Sequence, residues 1–492
     1  MTKYAGGALI PTLSIDRKDS ATITVQLVTA LRELILSGQL RAGERLPASR
    51  TLAQDQAVSR TTAINAYEQL TAEGLIHSQV GSGTYVSDTV PIPAPTPPEP
   101  RGDLPMPRLA NLSSSASDQY FTRLAHPDAP RAFVTGMPAF DVFPMALWSR
   151  LAARHWRNSR ADVMRYPDPS GLLELRQAVA QHLRANRGLR CTADEVFIFN
   201  GAQDAFNRIG ATLIDPGNLV WFENPGAIGA RNSLISSGAK LVPVPVDAQG
   251  MDVQAGLHRA PDVRLAFVTP AHQHPLGTTM SVSRRFDLLQ AAENASAWII
   301  EDDYVGEFHY GPHAPPPLKS MDTSGRVIYV GTFSKSMFPA LRLGYVVAPP
   351  KLAPMFHRIA GATMQGAPTS MQAIMADFIN EGHFAAHIRR MRDVYAERRD
   401  CLMRESARHL DGLLAVEATD TGFHTVADLL DPDLKDTTLA QAAKAAGIAT
   451  EPLSRFTIDP VRRQAITLGF SAVPPAQISR SVAALADCLR SL

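Results

Sequence analysis

Between Asp88 and Pro107 the chain reads DTVPIPAPTPPEPRGDLPMP, eight prolines in twenty residues. Proline fixes φ and carries no N–H, so this stretch can sit neither inside a helix nor in a central strand. It reads as an extended polyproline segment able to span about 60 Å at ~3.1 Å per residue. LSSSASD, Leu112 to Asp118, continues it in a more flexible idiom. A structureless loop of this length is foreign to a compact domain. The 492 residues are therefore expected as two bodies: a small head over 1–87, a linker over 88–118 and a large body over 119–492.

With 45% hydrophobic and 19% charged residues and a formal net charge of +1, the chain has ample material for large cores. No run approaches the ~20 uninterrupted apolar residues that a membrane-spanning helix needs. The opening MTKYAGGALIPTLSIDRKDS lacks the basic start and apolar stretch of a signal peptide, so a cytoplasmic protein is expected. Cys191, Cys401 and Cys488 are odd in number and far apart, which predicts neither a disulfide framework nor a metal site. Near-neutral charge excludes a chain that coats nucleic acid along its length, and leaves room for a small reading head.

In the head, Ile23, Leu27, Leu31, Leu34 and Ile35 form a helical stripe over Ile23 to Leu36. A second short helix is predicted from Ser49 to about Gln56, and a third capped by Ser59 and stopped by Gly74. LIHSQVGSGTYV, Leu75 to Val86, reads as a hairpin around Gly81–Ser82–Gly83. Three helices and a hairpin make a winged helix-turn-helix plan. Short polar and basic side chains on the first turn of a recognition helix reach base edges and phosphates, and Ser59, Arg60, Thr61 and Thr62 supply them. Arg45, Ser49 and Arg50 stand at the start of the second helix, where guanidinium groups can grip phosphate. Gly81 and Gly83 let a wing tip approach the DNA backbone. Charge does not separate this from a neutral interaction domain: Ile15 to Val86 holds seven basic and seven acidic residues.

In the body, buried-strand runs (EVFIFN, NLVWFE, VRLAFVTP, AWIIEDDY, VIYVGTF) alternate with helical patterns, which predicts an α/β domain with a mainly parallel sheet. GTFSKSMFPALRLGY places Lys335 among hydroxyl residues, with Arg342 seven positions on. A lysine that condenses with a carbonyl cofactor needs such a loop, and Thr332, Ser334 and Arg342 together could hold a phosphate beside it. WIIEDDY sends a buried strand into Asp302, a candidate partner for a protonated pyridine nitrogen, with Tyr304 beside it. The same stretch also fits a paired acidic loop or a magnesium ligand set. NGAQDAF opens a helix after a strand, so the N–H groups of Gly201, Ala202 and Gln203 form a phosphate cradle.

The head stretch resembles the GntR-type winged helix over its full length, through its G-x-RLPxSR, VSRxT and GSGT(Y/F)V blocks; Gln56 stands where such domains usually turn with glycine. From Arg131 to Leu492 the chain resembles fold-type I, aspartate-aminotransferase-like pyridoxal-phosphate proteins. That resemblance implies a Schiff base on Lys335, Asp302 on the pyridinium, Tyr304 on the 3-hydroxyl, and Arg342, Thr332 and the Gly201–Gln203 turn on the phosphate. It also implies a small C-terminal α+β subdomain and, through Tyr166 in MRYPDPSGLLELR, a head-to-tail homodimer in which this tyrosine reaches the partner's cofactor. His274 replaces the usual asparagine before Pro-x-Gly, and Ala227 replaces the usual stacking aromatic.

The combination resembles the MocR/GabR regulators. It implies a pyridoxal-phosphate-dependent activator or repressor that binds double-stranded operator DNA and senses a GABA-like, taurine-like or similar amino compound as an external aldimine. Arg455 and Arg463 are the candidate cations for the effector's acidic end. A working aminotransferase with an accessory DNA-binding head is the alternative. A body that has lost its cofactor is disfavoured by the presence of Lys335, Asp302, Tyr304 and Arg342.

Overall fold

The structure, a computed structural model, describes residues 10–11, 13–79, 81–88, 110–117, 119–122, 129–157, 164–311 and 315–492. Chain contacts divide it into two units, Met1–Arg108 and Leu109–Leu492.

In the first unit, α1 (Ile23–Leu36), α2 (Ser49–Asp55) and α3 (Arg60–Ala72) precede a hairpin of β1 (Ile76–Gln79) and β2 (Gly83–Val86). Thr22 caps α1, accepting a hydrogen bond from the Val25 N–H, and Ser59 caps α3, accepting from Thr62 at 3.0 Å. Leu27, Leu31 and Ile35 of α1 meet Leu52 of α2, Ala63, Ala66 and Leu70 of α3 and Ile76 and Val86 of the hairpin in one core. The hairpin pairs Ile76 with Val86 and Gln79 with Gly83. Gln56 is buried, and its amide ties down the N-terminal segment: Oε1 accepts from the Leu13 N–H at 2.8 Å and Nε2 donates to the Pro11 carbonyl at 3.1 Å. Ala57, next in line, takes the positive φ of 52° that the turn requires.

The second unit is built on an eight-stranded sheet in the order β3-β10-β9-β8-β7-β4-β5-β6. These strands are β3 (Val196–Phe199), β4 (Leu219–Asn224), β5 (Lys240–Asp247), β6 (Gly250–Met251), β7 (Leu265–Val268), β8 (Trp298–Asp303), β9 (Val327–Thr332) and β10 (Gly344–Val347). From β5 through β4, β7 and β8 to β9 the pairing is parallel. β10 runs antiparallel to both β3 and β9, so β3 points the same way as β9. VFIF and LAFV are buried at every position, as a sheet covered on both faces demands.

A smaller antiparallel sheet, β11 (Leu414–Val416), β12 (His424–Leu429), β13 (Glu451–Pro452) and β14 (Ala465–Gly469), packs with the helices His383–His409 and Pro475–Arg490. Phe133 bridges to Gly469 by reciprocal backbone bonds of 2.9 and 3.0 Å, which brings the segment that follows it back to the large sheet.

One expectation is corrected. The serine-rich end of the linker is not a tether: Asn111–Ser117 is a short helix with Ala116 buried, packed against the helix Ile228–Ser236. Apolar burial of that alanine outweighs the serines' preference for turns. Residues 89–109, most of the proline-rich stretch, lie outside the described residues.

Candidate functional site

The C-terminal ends of β3, β4, β7, β8 and β9 and the turns that leave them face one cavity of about 290 Å³. Asp302 lies at the end of β8. Thr332 ends β9 and caps the short helix Phe333–Ser336, accepting from the Ser334 N–H at 3.1 Å, and this helix presents Lys335. Gly201, at φ 87°, turns the chain from β3 into the helix Ala202–Leu213. Arg342, in the left-handed region at φ 52°, lays its guanidinium over Gly201. Lys335, Asp302, Tyr304, Thr332, Ser334, Arg342, Gly201, Ala202 and Gln203 all line the cavity.

The Lys335 amine donates to the Gly136 carbonyl at 2.6 Å. A Cβ on Gly136 would stand 2.6 Å from that nitrogen, so only glycine leaves room for the amine there. Asp302 is buried and its Oδ1 has no hydrogen-bond partner. Burial, with Asp303 and Glu223 nearby, pushes the Asp302 carboxyl up to about 8, while Lys335 pulls the other way. A carboxyl so placed is matched to a ligand atom that brings a proton or a positive charge. Tyr304 donates to the His272 carbonyl at 3.0 Å, and burial beside Asp302 holds its phenol well above the usual range. Glu223 braces the turn after β7, accepting from the Thr269 N–H and hydroxyl and from Gln273. An orphaned buried carboxylate oxygen, an amine, and a guanidinium beside a helix N-terminus form the donor set that fits pyridoxal phosphate.

Thr135, Gly136, His274, His424 and Phe456 also line the cavity, none of them among the sequence-derived site residues. Only His274 stood beside a readable motif. Ala227 lines the cavity too, so no aromatic occupies that position.

Neither of the expected effector arginines lines the cavity of this chain. Arg463 is held by Asp428 at 2.6 Å and by Glu417. Arg455 pairs with Glu451 at 3.3 Å and donates to the Thr122 carbonyl at 2.9 Å. Each guanidinium is engaged by nearer carboxylates. Tyr166 is 86% exposed and stands outside its own chain's cavity.

In the head, Arg45, Arg50, Ser59, Arg60, Thr61 and Gly81 are exposed, and Ser49, Thr62 and Gly83 half-buried. The Ser59 cap sets the first turn of α3 with Arg60 and Thr61 outward. Arg45 lies against Gly83 of the wing: a Cβ there would come within 2.8 Å of its Nε. Among the described residues, none of Arg45, Arg50 and Arg60 has an ion-pair partner, which leaves three guanidiniums open to phosphate.

Residues 140–485 match the family described as aminotransferase class I and II, and residues 23–86 match bacterial regulatory proteins of the gntR family. Over 98% of its length the chain is 40% identical to the probable rhizopine catabolism regulatory protein MocR of Rhizobium meliloti, covering 96% of that protein. It is 34% identical to the HTH-type transcriptional regulator TauR of Rhodobacter capsulatus, covering 94% of this chain and 95% of that one. Among solved structures it is similar to LysN, an α-aminoadipate aminotransferase of Thermus thermophilus complexed with N-(5'-phosphopyridoxyl)-L-leucine. That match has a TM-score of 0.68 and 25% identity, and covers 74% of this chain and 93% of that one. Among the described residues no helix is long and apolar enough to cross a membrane.

Proposed function

Because the chain belongs to the MocR/GabR-type regulators, which join a gntR-family head to an aminotransferase class I and II body, we propose that it regulates transcription by holding pyridoxal phosphate at Lys335 and reading an amino compound there. The observation that carries this reading is the convergence of Lys335, Asp302, Tyr304, Arg342 and the Gly201–Gln203 turn on one cavity.

When bound, pyridoxal phosphate supplies an electrophilic carbonyl carbon that an amine can condense with. Lys335 presents that amine, steered by the Gly136 carbonyl. Asp302, with its unpartnered carboxylate oxygen, would face the ring nitrogen, and Tyr304, whose O–H is given to the His272 carbonyl, would turn that hydroxyl to the ring's oxygen only by releasing His272. Arg342 and the helix N-terminus at Gly201 would hold the phosphate, by charge and by backbone N–H groups. An effector amine entering the cavity would compete with the Lys335 amine, and its differential affinity for two arrangements of the protein would shift the population between them.

On the DNA side, Arg60 and Arg50 grip phosphate while Ser59, Thr61 and Thr62 set the first turn of α3 toward the bases. With no basic excess in the head, tight binding needs two heads on one homodimer and two operator half-sites. The reading places the protein in the cytoplasm, where operator and effector are both at hand.

Borohydride reduction of the cofactor-loaded protein, with mass mapping, tests the site: the adduct falls on Lys335, and Lys335→Ala loses it while keeping the fold. An adduct on another lysine refutes the assignment. A working aminotransferase shares all these residues and divides from the sensor on turnover. The sensor gives one stoichiometric spectral change with each amine, whereas steady release of keto acid would make the chain an enzyme.

A further inference from the structure

Besides Lys335 and Arg342, no lysine or arginine lines the cavity among the described residues, and both have work there already. The cavity wall also carries His274 and His424. His424 is completely buried, and its Nε2 meets the Pro275 carbonyl at 3.0 Å. A carbonyl oxygen only accepts, so Nε2 carries the proton and Nδ1 is left as a lone-pair acceptor. That Nδ1 has no partner, and neither does Nδ1 of His274.

The surroundings keep these rings uncharged. Burial pushes His424 down to about 4, with Lys335 acting the same way, and burial together with His424 and Lys335 holds His274 well below its usual range. His272, whose Nδ1 is taken by the Thr421 hydroxyl at 2.7 Å, packs edge-on against His424 with ring centroids 4.7 Å apart. Tyr304 and Phe456 cover His274 from two other sides. A carboxylate or sulfonate can only accept hydrogen bonds, so against an uncharged acceptor nitrogen it gains nothing and loses its hydration. A hydroxyl or amide N–H supplies the missing donor.

We propose that the effector read in this cavity is an amine whose far end is neutral and donates a hydrogen bond to His424, a hydroxyl or an amide, and not an amino acid or amino sulfonate. This rests on the reading of the cavity as a pyridoxal-phosphate effector site, and it replaces the acidic-end expectation that Arg455 and Arg463 had carried.

The test titrates full-length, cofactor-loaded protein with four three-carbon amines: 3-amino-1-propanol, β-alaninamide, β-alanine and n-propylamine. Absorbance of the bound cofactor and calorimetry are read in parallel. The alcohol and the amide are expected to act at concentrations at least about tenfold below β-alanine, which is about 1.4 kcal/mol. Their advantage over n-propylamine should vanish in His424→Phe, and the wild-type series stands by itself if that variant does not fold. β-Alanine acting as well as the alcohol or better overturns the proposal while n-propylamine still shifts the spectrum. If no amine shifts it and borohydride fixes nothing on Lys335, the cofactor reading falls and takes the proposal with it. An unchanged advantage in folded His424→Phe removes His424 as the acceptor and overturns the assignment.

Discussion

Gly136→Ala separates the chemistry of the site from the stability of the body. At φ 69° Gly136 is in the left-handed region, where an L-residue costs roughly 1–2 kcal/mol. Its new Cβ would stand 2.6 Å from the Lys335 nitrogen. Carbon and nitrogen in contact want about 3.5 Å, so the amine must retreat by close to an ångström. That nitrogen is the free-swinging end of a long side chain, so retreat is cheap for the fold. For bond formation it is expensive, since a misplacement of about 1 Å can cost about a hundredfold in rate. Gly188→Ala is the matched control: φ is 65° and the added Cβ meets nothing within 4 Å. Both variants should lose the same small increment of thermal midpoint, about 1–2 °C per kcal/mol for a body this large. Only Gly136→Ala should slow covalent capture of pyridoxal phosphate at Lys335, by about a hundredfold, as timed by borohydride quench and mass spectrometry. Capture at the wild-type rate in Gly136→Ala, or equal slowing in Gly188→Ala, would refute the steric argument.

Other outcomes follow from the same geometry. Arg342→Gln should weaken pyridoxal phosphate by about tenfold or more in equilibrium dialysis, because a charge-assisted bond to phosphate contributes about 1.5–3 kcal/mol. Arg60→Ala and Arg50→Ala should each weaken operator binding and lower the salt slope by about one for a phosphate contact, read by anisotropy titrations across salt concentrations. Asp302→Asn should stabilise the cofactor-free protein increasingly as pH rises. The folded carboxyl titrates near 8 and the unfolded one near 3.9. Between those values the native state holds a proton that the unfolded state has released, so wild-type stability falls with rising pH while the asparagine has nothing to titrate. Melting curves from pH 5 to pH 8 should show the gap widening, and a constant gap would contradict the burial argument.

What the sequence made legible was whatever its own neighbours determine. The apolar stripe from Ile23 to Ile35 and the Ser59 cap are local signals, and the helices begin and end where they indicate. Asp302 and Thr332 stand at the ends of buried strands and the Gly201 turn follows one, so the runs WIIE, VIYVG and EVFIF announced them. Gly136, His424 and Phe456 carry no such signal. They reach the cavity through the Phe133–Gly469 bridge, which joins residues hundreds of positions apart, and through the smaller sheet, whose strands are separated by tens of residues. Arg463 shows what a chain position leaves unsaid. Its place in the chain suggested ligand binding, but Asp428 on the neighbouring strand is close enough to take the guanidinium first.

The amide of Gln56 bears on where the head begins as a physical object. Resemblance to the gntR family starts at residue 23, yet this side chain reaches back to Pro11 and Leu13, and Arg17 reaches forward to the Ala57 carbonyl at 3.0 Å. Ile10 and Leu13 pack on the same core. A fragment cut at the inherited boundary would lose both of these amide hydrogen bonds, each contributing about 0.5–1.5 kcal/mol, and the packing of Ile10 and Leu13. The unit that is copied between proteins and the unit that folds therefore have different edges here, and one glutamine marks the distance between them.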